Sequence, residues 1–181
     1  MDPIRPMDVD LLARLQAGEQ DAWRDVYRSH QGRIYRFSMQ MCRSSVISEE
    51  VTQDTFVTFL QQIERYDPSR ASLELWLLGI ARRKVLKCLE RLRRDAELID
   101  FPSAENVHLD AERRQQQDSI RAAVVSLPMA YREAVVLCDL QQMTYEEAAE
   151  VLACPVGTVR SRLHRGRQML AEKLSAVGAA L

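Results

Sequence analysis

From Asp8 to Leu174 the apolar residues of this chain recur at intervals of three and four, and no stretch alternates convincingly with period two. That pattern predicts an all-α fold without strands. Six Gly and six Pro among 181 residues leave little material for long loops, and 46% apolar residues suffice to bury a core. A first helix is expected over 8–16, with Leu11, Leu12 and Leu15 on one face and Gly18 as its stop. A second starts near Gln20, carries Trp23, Val26, Tyr27, Ile34, Phe37 and Met41, and breaks at Ser44 and Ser45. A third covers 48–63 with Val51, Thr55, Phe56, Phe59, Leu60 and Ile63 inward. Pro68 disfavours helix at Asp67, so 66–70 reads as a turn. A fourth helix over 72–94 follows, apolar along Leu73, Trp76, Leu77, Ile80, Ala81, Val85, Cys88, Leu89 and Leu92.

A formal net charge of −1 hides strong segregation. Between Arg82 and Arg94 stand seven basic residues and one acid, Glu90; from Asp95 to Asp118 there are seven acids against Arg113 and Arg114. Arg160, Arg162, Arg165 and Arg167 have no acid among them. Two basic segments around an acidic one suggest two polyanion-binding modules and a connector with a different partner. Arg83, Lys87, Arg91 and Arg94 line one side of the fourth helix; the competing reading is an ordinary solvated surface, but the acids that usually intersperse such a stripe are nearly absent. Residues 101–110 lack apolar periodicity and are read as a linker, longer than most connections.

Several function classes lose support. Cys42, Cys88, Cys138 and Cys154 never form C-x-x-C, and His30, His108 and His164 are dispersed, so neither a metal site nor a dithiol site has local backing. The cysteines read as small buried residues. No glycine-rich phosphate loop occurs, and no cofactor or catalytic residue is expected. No uncharged stretch approaches a membrane span, and residues 1–6 lack the apolar segment of a secretion signal. A cytoplasmic, non-enzymatic chain without membrane insertion is expected.

The second module begins near Gln117, with Ile120, Val124 and Leu127 on a short helix ended by Pro128, which suits the first turn of the next. Tyr131, Val135, Leu137, Cys138 and Leu140 follow at helical spacing up to Gln141–Gln142. Thr144 through Glu147 form a capping-box pattern, and Ala148, Ala149 and Leu152 then face inward. After the break at Ala153-Cys154-Pro155 a longer helix runs to about Leu174. A short helix, a tight turn and a longer helix make a helix-turn-helix. Val156, Val159, Leu163 and Leu170 point to its core, whereas Arg160, Ser161, His164, Arg165 and Gln168 share the other side. Arg reads guanine edges bidentately, and Ser or His donates or accepts. Arg162 and Arg167 lie at the flanks, where phosphate contact is natural, and Gly157 lets the helix N-terminus approach a phosphate. An Arg-rich solvated helix is the plain alternative.

These residues resemble a known family. The runs Ser126 to Pro128, Tyr131 to Val135, Thr144 to Ala149 and Gly157 to Leu163 are similar to the minus-35-binding domain of bacterial sigma-70-type factors. Ser48 to Phe56 resembles the segment by which these factors grip core RNA polymerase, and Trp76 to Arg82 resembles the helix that engages the minus-10 element. Two such domains joined by an acidic linker resemble an extracytoplasmic-function (ECF) sigma factor. The resemblance implies a promoter-melting and polymerase-binding domain over 8–95, a flexible acidic linker over 96–116 and a minus-35 helix-turn-helix domain over 117–176. It implies that Glu49, Glu50, Gln53, Asp54 and Phe56 bind the β′ coiled coil; that Tyr66, Trp76, Arg83 and Lys87 serve the minus-10 DNA; and that the linker threads the RNA-exit path. It further implies that the second domain binds the β flap and reads the minus-35 element through Gly157, Thr158, Arg160, Ser161, Arg162, His164, Arg165 and Arg167. An anti-sigma factor is an additional implied partner. Trp76 reads more readily as plain core packing, and Tyr66 equally as a cover over the core.

This chain departs from the family pattern at five positions. Arg83 stands where many members have Asn, Ala148 where a bulkier apolar residue is usual, Ala153 where a turn Gly is usual, Gly166 where Ala is usual, and His164 where an aromatic or other residue is common. On helix propensity alone Gly166 costs up to about 1 kcal/mol. Two other functions compete with the leading one. A free-standing helix-turn-helix regulator would bind a palindromic operator as a dimer. A metal-dependent nuclease would use Glu49, Glu50 and Asp54, although no second acidic cluster or His completes such a site.

Overall fold

The computed structural model describes residues 6–98 and 119–178, and among them every regular element is helical. The first unit comprises α1 (Pro6–Gln16), α2 (Gln20–Cys42), α3 (Ser45–Gln62), a 3-10 turn (Ile63–Arg65) and α4 (Leu73–Leu98). Helix α2 ends where Arg43 adopts a left-handed conformation, φ 55°, its N–H returning to the Met39 carbonyl. Ser44 then caps α3, its hydroxyl accepting from the Ile47 N–H at 3.3 Å. The serine pair is therefore both a break and a start, and α3 begins three residues before the expected Ser48. Ser48, Thr52 and Thr55 are buried, and each hydroxyl donates to the carbonyl four residues back, at 2.6–2.7 Å.

Asp67 closes the expected turn by accepting from the Ser69 N–H and hydroxyl at 2.9 and 2.6 Å, bonds that hold its carboxyl below the usual range. Helix α4 crosses α2 and α3 over a core of Ile34, Phe37, Met41, Phe59, Leu77 and Ile80, with Trp23 and Trp76 set edge-on to Phe59. Leu60 and Leu92 are exceptions to the expected apolar faces: Leu60 is half exposed, on the side of α3 turned away from α2 and α4, and Leu92 near the end of α4 is exposed as well.

The second unit comprises a helical segment over 119–125 (α5), α6 (Met129–Val135), α7 (Tyr145–Leu152) and α8 (Val156–Gly178). Val124 and Leu127 are buried as expected, but Ile120 is exposed. The helix through Tyr131 was expected to continue to Leu140. Instead Val136–Leu140 winds as a π turn, with the Gln141 N–H bonded to the Val136 carbonyl five residues back at 2.9 Å. The wider turn keeps Leu137 buried and rotates Leu140 outward to 40% exposure. Burial raises the pKa of the Cys88 and Cys138 thiols, and all four cysteines are free.

The two units pack against each other, which nothing in the sequence announces. Helix α7 lies on α4, and Val136, Leu137, Ala148, Val151, Leu152 and Val159 share one buried cluster with α2 and α4. Polar contacts frame this seam. Arg82 on α4 donates to both carboxylate oxygens of Glu133 on α6, at 2.6 and 3.3 Å. Arg132 donates to the Met41 and Leu127 carbonyls at 2.9 and 3.1 Å and also reaches the Val125 carbonyl. The Gln141 side chain donates to Gln40 at 2.6 Å while its carbonyl accepts from Arg33 at 3.0 Å. The acidic connector expected over 96–116 lies outside the described residues, apart from the C-terminal end of α4.

Candidate nucleic-acid interface

Helices α7 and α8 form the helix-turn-helix. Thr144 accepts from the Glu147 N–H at 3.1 Å, and the Glu147 carboxylate accepts from the Thr144 N–H at 2.9 Å, so both bonds of the capping box are made. Ala153 makes the turn in a left-handed conformation, φ 51° and ψ 47°. An L-residue with a Cβ is strained there by about 1–2 kcal/mol relative to glycine. Because Ala153 is exposed, Ala153→Gly is expected to stabilise the second unit by about 1 kcal/mol, read as a higher urea midpoint at unchanged slope; a lower midpoint would contradict the strain.

On α8 the buried side carries Val159, Leu163 and Gly166. Arg160, Ser161, His164 and Arg165 are all exposed, Thr158 and Arg162 are half-buried, and Gly157 faces open space. Thr158, Ser161, Arg162 and Arg165 line a broad concavity together with Pro128, Ala130 and Tyr131 of α6. The Arg160 guanidinium lies over the Tyr145 ring, 5.5 Å from its centroid. Arg167 faces differently from the expectation of a phosphate contact: it is bidentate to Asp139 at 2.6 and 3.1 Å, a bond that raises its pKa and that a phosphate would have to replace.

On the first unit Arg83 and Lys87 are exposed one turn apart on α4. Trp76 is half-buried between Phe59 and Tyr66, with ring centroids 5.5 and 5.4 Å away. Tyr66, for which the sequence leaves both stacking on a base and covering the core open, is 5% exposed, and its hydroxyl donates to the Ala71 carbonyl at 3.3 Å. In this conformation it covers the core. The turn before α4 folds it inward, against Trp76.

Helix α3 brings Glu49, Glu50, Gln53 and Asp54 to the surface. Glu50 pairs with Arg91 at 3.4 Å and Asp54 with Lys84 at 3.5 Å. Phe56 faces inward, as its place on the core stripe predicts: it is 8% exposed and packs on Tyr27. The sequence reading missed Val46, Val57 and Leu60, exposed at 73%, 50% and 50%. With Gln53 they stand at spacings of seven, four and three, a second apolar stripe that was legible but masked by the stronger core stripe beside it. Among the described residues no group of three or more His, Cys, Asp or Glu side chains is placed to hold a metal, and no helix is long and apolar enough to cross a membrane.

Comparison with known proteins accounts for both units. Residues 26–96 match the family described as "Sigma-70 region 2", and residues 117–170 the family described as "Sigma-70, region 4". The chain is 34% identical to the ECF RNA polymerase sigma factor SigE of Mycolicibacterium smegmatis over 85% of its own length, spanning 62% of that protein. It is 32% identical to the ECF factor SigM of Mycobacterium tuberculosis, over 92% of this chain and 84% of the relative. SigW of Bacillus subtilis is 24% identical over 90% and 94%. Among solved structures, CnrH in complex with the cytosolic domain of CnrY superimposes with a TM-score of 0.73 at 26% identity, covering 93% of this chain and 97% of that one. With two sigma-70 regions in order along one all-helical chain, and relatives of this similarity over most of its length, the protein belongs to the ECF subfamily of sigma-70 RNA polymerase sigma factors.

Proposed function

We propose that this chain binds core RNA polymerase and directs promoter-specific initiation, without catalysis of its own and in the cytoplasm, where polymerase works. The observation that carries the reading is the recognition face of α8: Arg160, Ser161, His164 and Arg165 point to solvent from a capped helix-turn-helix whose opposite side is buried. On this reading that face reads the minus-35 element and Arg162 positions it on the backbone. Arg83 and Lys87 hold the melted minus-10 strand, and Tyr66 and Trp76 serve it only after the turn before α4 opens. The domain limits proposed are 8–95 and 117–176, with the acidic segment 96–116 reaching into the polymerase.

The α3 face docks on polymerase: an apolar strip of Val46, Val57 and Leu60 edged by Glu49, Glu50, Gln53 and Asp54 suits the β′ coiled coil, while the second domain meets the β flap. An anti-sigma factor is a further proposed partner. Replacing both Val57 and Leu60 by Asp is expected to weaken core-polymerase binding by at least about 30-fold, because two apolar anchors of one patch are lost and charges are left in a desolvated contact. Both side chains are half exposed, so the thermal midpoint is expected to stay near wild type. Unchanged affinity in a pull-down titration with purified core polymerase would remove α3 from the interface.

The whole reading is tested by gel shift and run-off transcription over a mapped promoter set. Sequence-specific binding and defined start sites are expected only with core polymerase present. A two-fold symmetric footprint from the protein alone would favour the dimeric regulator instead. The nuclease reading finds little to build on, since Glu50 and Asp54 are paired with Arg91 and Lys84 and no group of acids or histidines among the described residues is placed to hold a metal.

A further inference from the structure

We infer that Arg82 is a further nucleic-acid-binding residue of α4, and that in the packed molecule the Glu133 carboxylate occupies the place of a backbone phosphate of the melted minus-10 strand. This rests on the promoter-melting reading of α4. Three observations support it. Arg82 sits next to Arg83 on the basic stretch of α4, yet its guanidinium is turned into the seam and held along its Nε–Nη2 edge by both oxygens of one carboxylate. A guanidinium fork binds carboxylate and phosphate oxygens in the same bidentate way, so Glu133 is a chemical stand-in for phosphate. Moreover Glu133 is only 3% exposed, and Arg82 is the cation bonded directly to its carboxylate. Arg82 therefore leaves it at low cost only when the two units separate and water reaches the carboxylate.

Separation is required by the proposed task. Elements about 25 base pairs apart lie about 85 Å from each other along B-DNA at 3.4 Å per pair. A compact body of about 150 residues is only about 40 Å across. The packed molecule cannot span both elements, and parting α6 from α4 frees Arg82 beside Arg83 and Lys87. DNA and the seam thus compete for one guanidinium. The face of α3 that docks on polymerase takes no part in the seam, so polymerase can bind before the units part.

The test uses the full chain, small-angle scattering for the radius of gyration, and a fluorescein-labelled 15-nucleotide single strand of mixed sequence titrated at several salt concentrations. Glu133→Gln is expected to expand the molecule and to bind the strand about tenfold more tightly than wild type. Arg82→Gln is expected to expand it equally but to bind more weakly than Glu133→Gln, with a plot of log affinity against log salt shallower by about 0.7, one phosphate contact fewer. The double variant should behave as Arg82→Gln. Should Glu133→Gln fail to fold by circular dichroism, Gln40→Ala, which removes the bond to Gln141 on the far side of the seam, is expected to raise strand affinity in the same direction. A purely structural pair would move both single variants alike. Equal affinities and slopes for Arg82→Gln and Glu133→Gln overturn the inference, and so does wild-type compactness with wild-type affinity in Glu133→Gln. Adding Arg83→Ala and Lys87→Ala to Glu133→Gln checks the reading beneath it: no loss of strand binding there removes α4 from the DNA altogether, whereas loss there with none at Arg82 overturns this inference alone.

Discussion

Gly166→Ala is expected to destabilise the second unit by about 1–2 kcal/mol, although alanine is the better helix former by about 1 kcal/mol. The reason is the approach of α8 to α6. A Cβ on residue 166 would lie 2.7 Å from Val135 Cγ2 and 3.2 Å from the Tyr131 carbonyl oxygen. Val135 is 2% exposed and β-branched, so its methyl has no free rotamer to take up, and the carbonyl belongs to a helix. Overpacking of this kind costs about 1–3 kcal/mol, more than the propensity gained. Both tryptophans, Trp23 and Trp76, lie in the first unit. In urea, the far-ultraviolet dichroism transition of Gly166→Ala should therefore shift to lower concentration more than the fluorescence transition. Val135→Ala makes room, so the double variant should be more stable than the two single losses add up to. Gly166→Ala more stable than wild type would mean that the helices lie further apart than described.

That glycine also marks the limit of what the sequence discloses. Helix periodicity, the Thr144–Glu147 capping box and the Pro68 turn are local, and local chemistry places all of them. Read as a departure, Gly166 had only a cost; its benefit is a close approach to Val135 and Tyr131 of a helix far back in the sequence, which no spacing rule contains. The π turn is hidden for the same reason. Val136 to Leu140 read as ordinary helix, and what selects the wider turn is the docking of Gln141 between Arg33 and Gln40 of the other unit. For the site, the exposed residues of α8 follow from the helical wheel, as do Arg83 and Lys87. Tyr66 and Phe56 each carry two readings, core and contact, because an aromatic at the border of a core can face either way, and tertiary contacts with Trp76 and Tyr27 decide which way it faces. Arg82 was read as one base among seven; only its pairing with Glu133, 51 residues on, sets it apart.

Arg160→Ala is expected to cost about 1–3 kcal/mol of promoter affinity in the complex with core polymerase, about 5- to 150-fold, concentrated at one base pair of the minus-35 element. Position and partner both favour a base-reading role. Arg160 lies one turn into α8, where a recognition helix comes nearest the groove floor, and it is exposed. Its guanidinium rests on the Tyr145 ring at 5.5 Å, a contact that narrows its rotamers while leaving its edge donors free for guanine O6 and N7. Restricting the free arm reduces the entropy lost on binding, so truncation removes a preorganised contact. Arg162, half-buried at the rim of the concavity facing Tyr131, is the natural control. Arg162→Ala should weaken all promoters alike and lower the salt slope by about 1, as loss of a phosphate contact does. Measured over a set of single-base minus-35 variants with polymerase present, Arg160→Ala should flatten the preference at one position and leave the others intact. A uniform loss across the set, indistinguishable from that of Arg162→Ala, would reduce Arg160 to a backbone contact and move base reading to Ser161, His164 and Arg165.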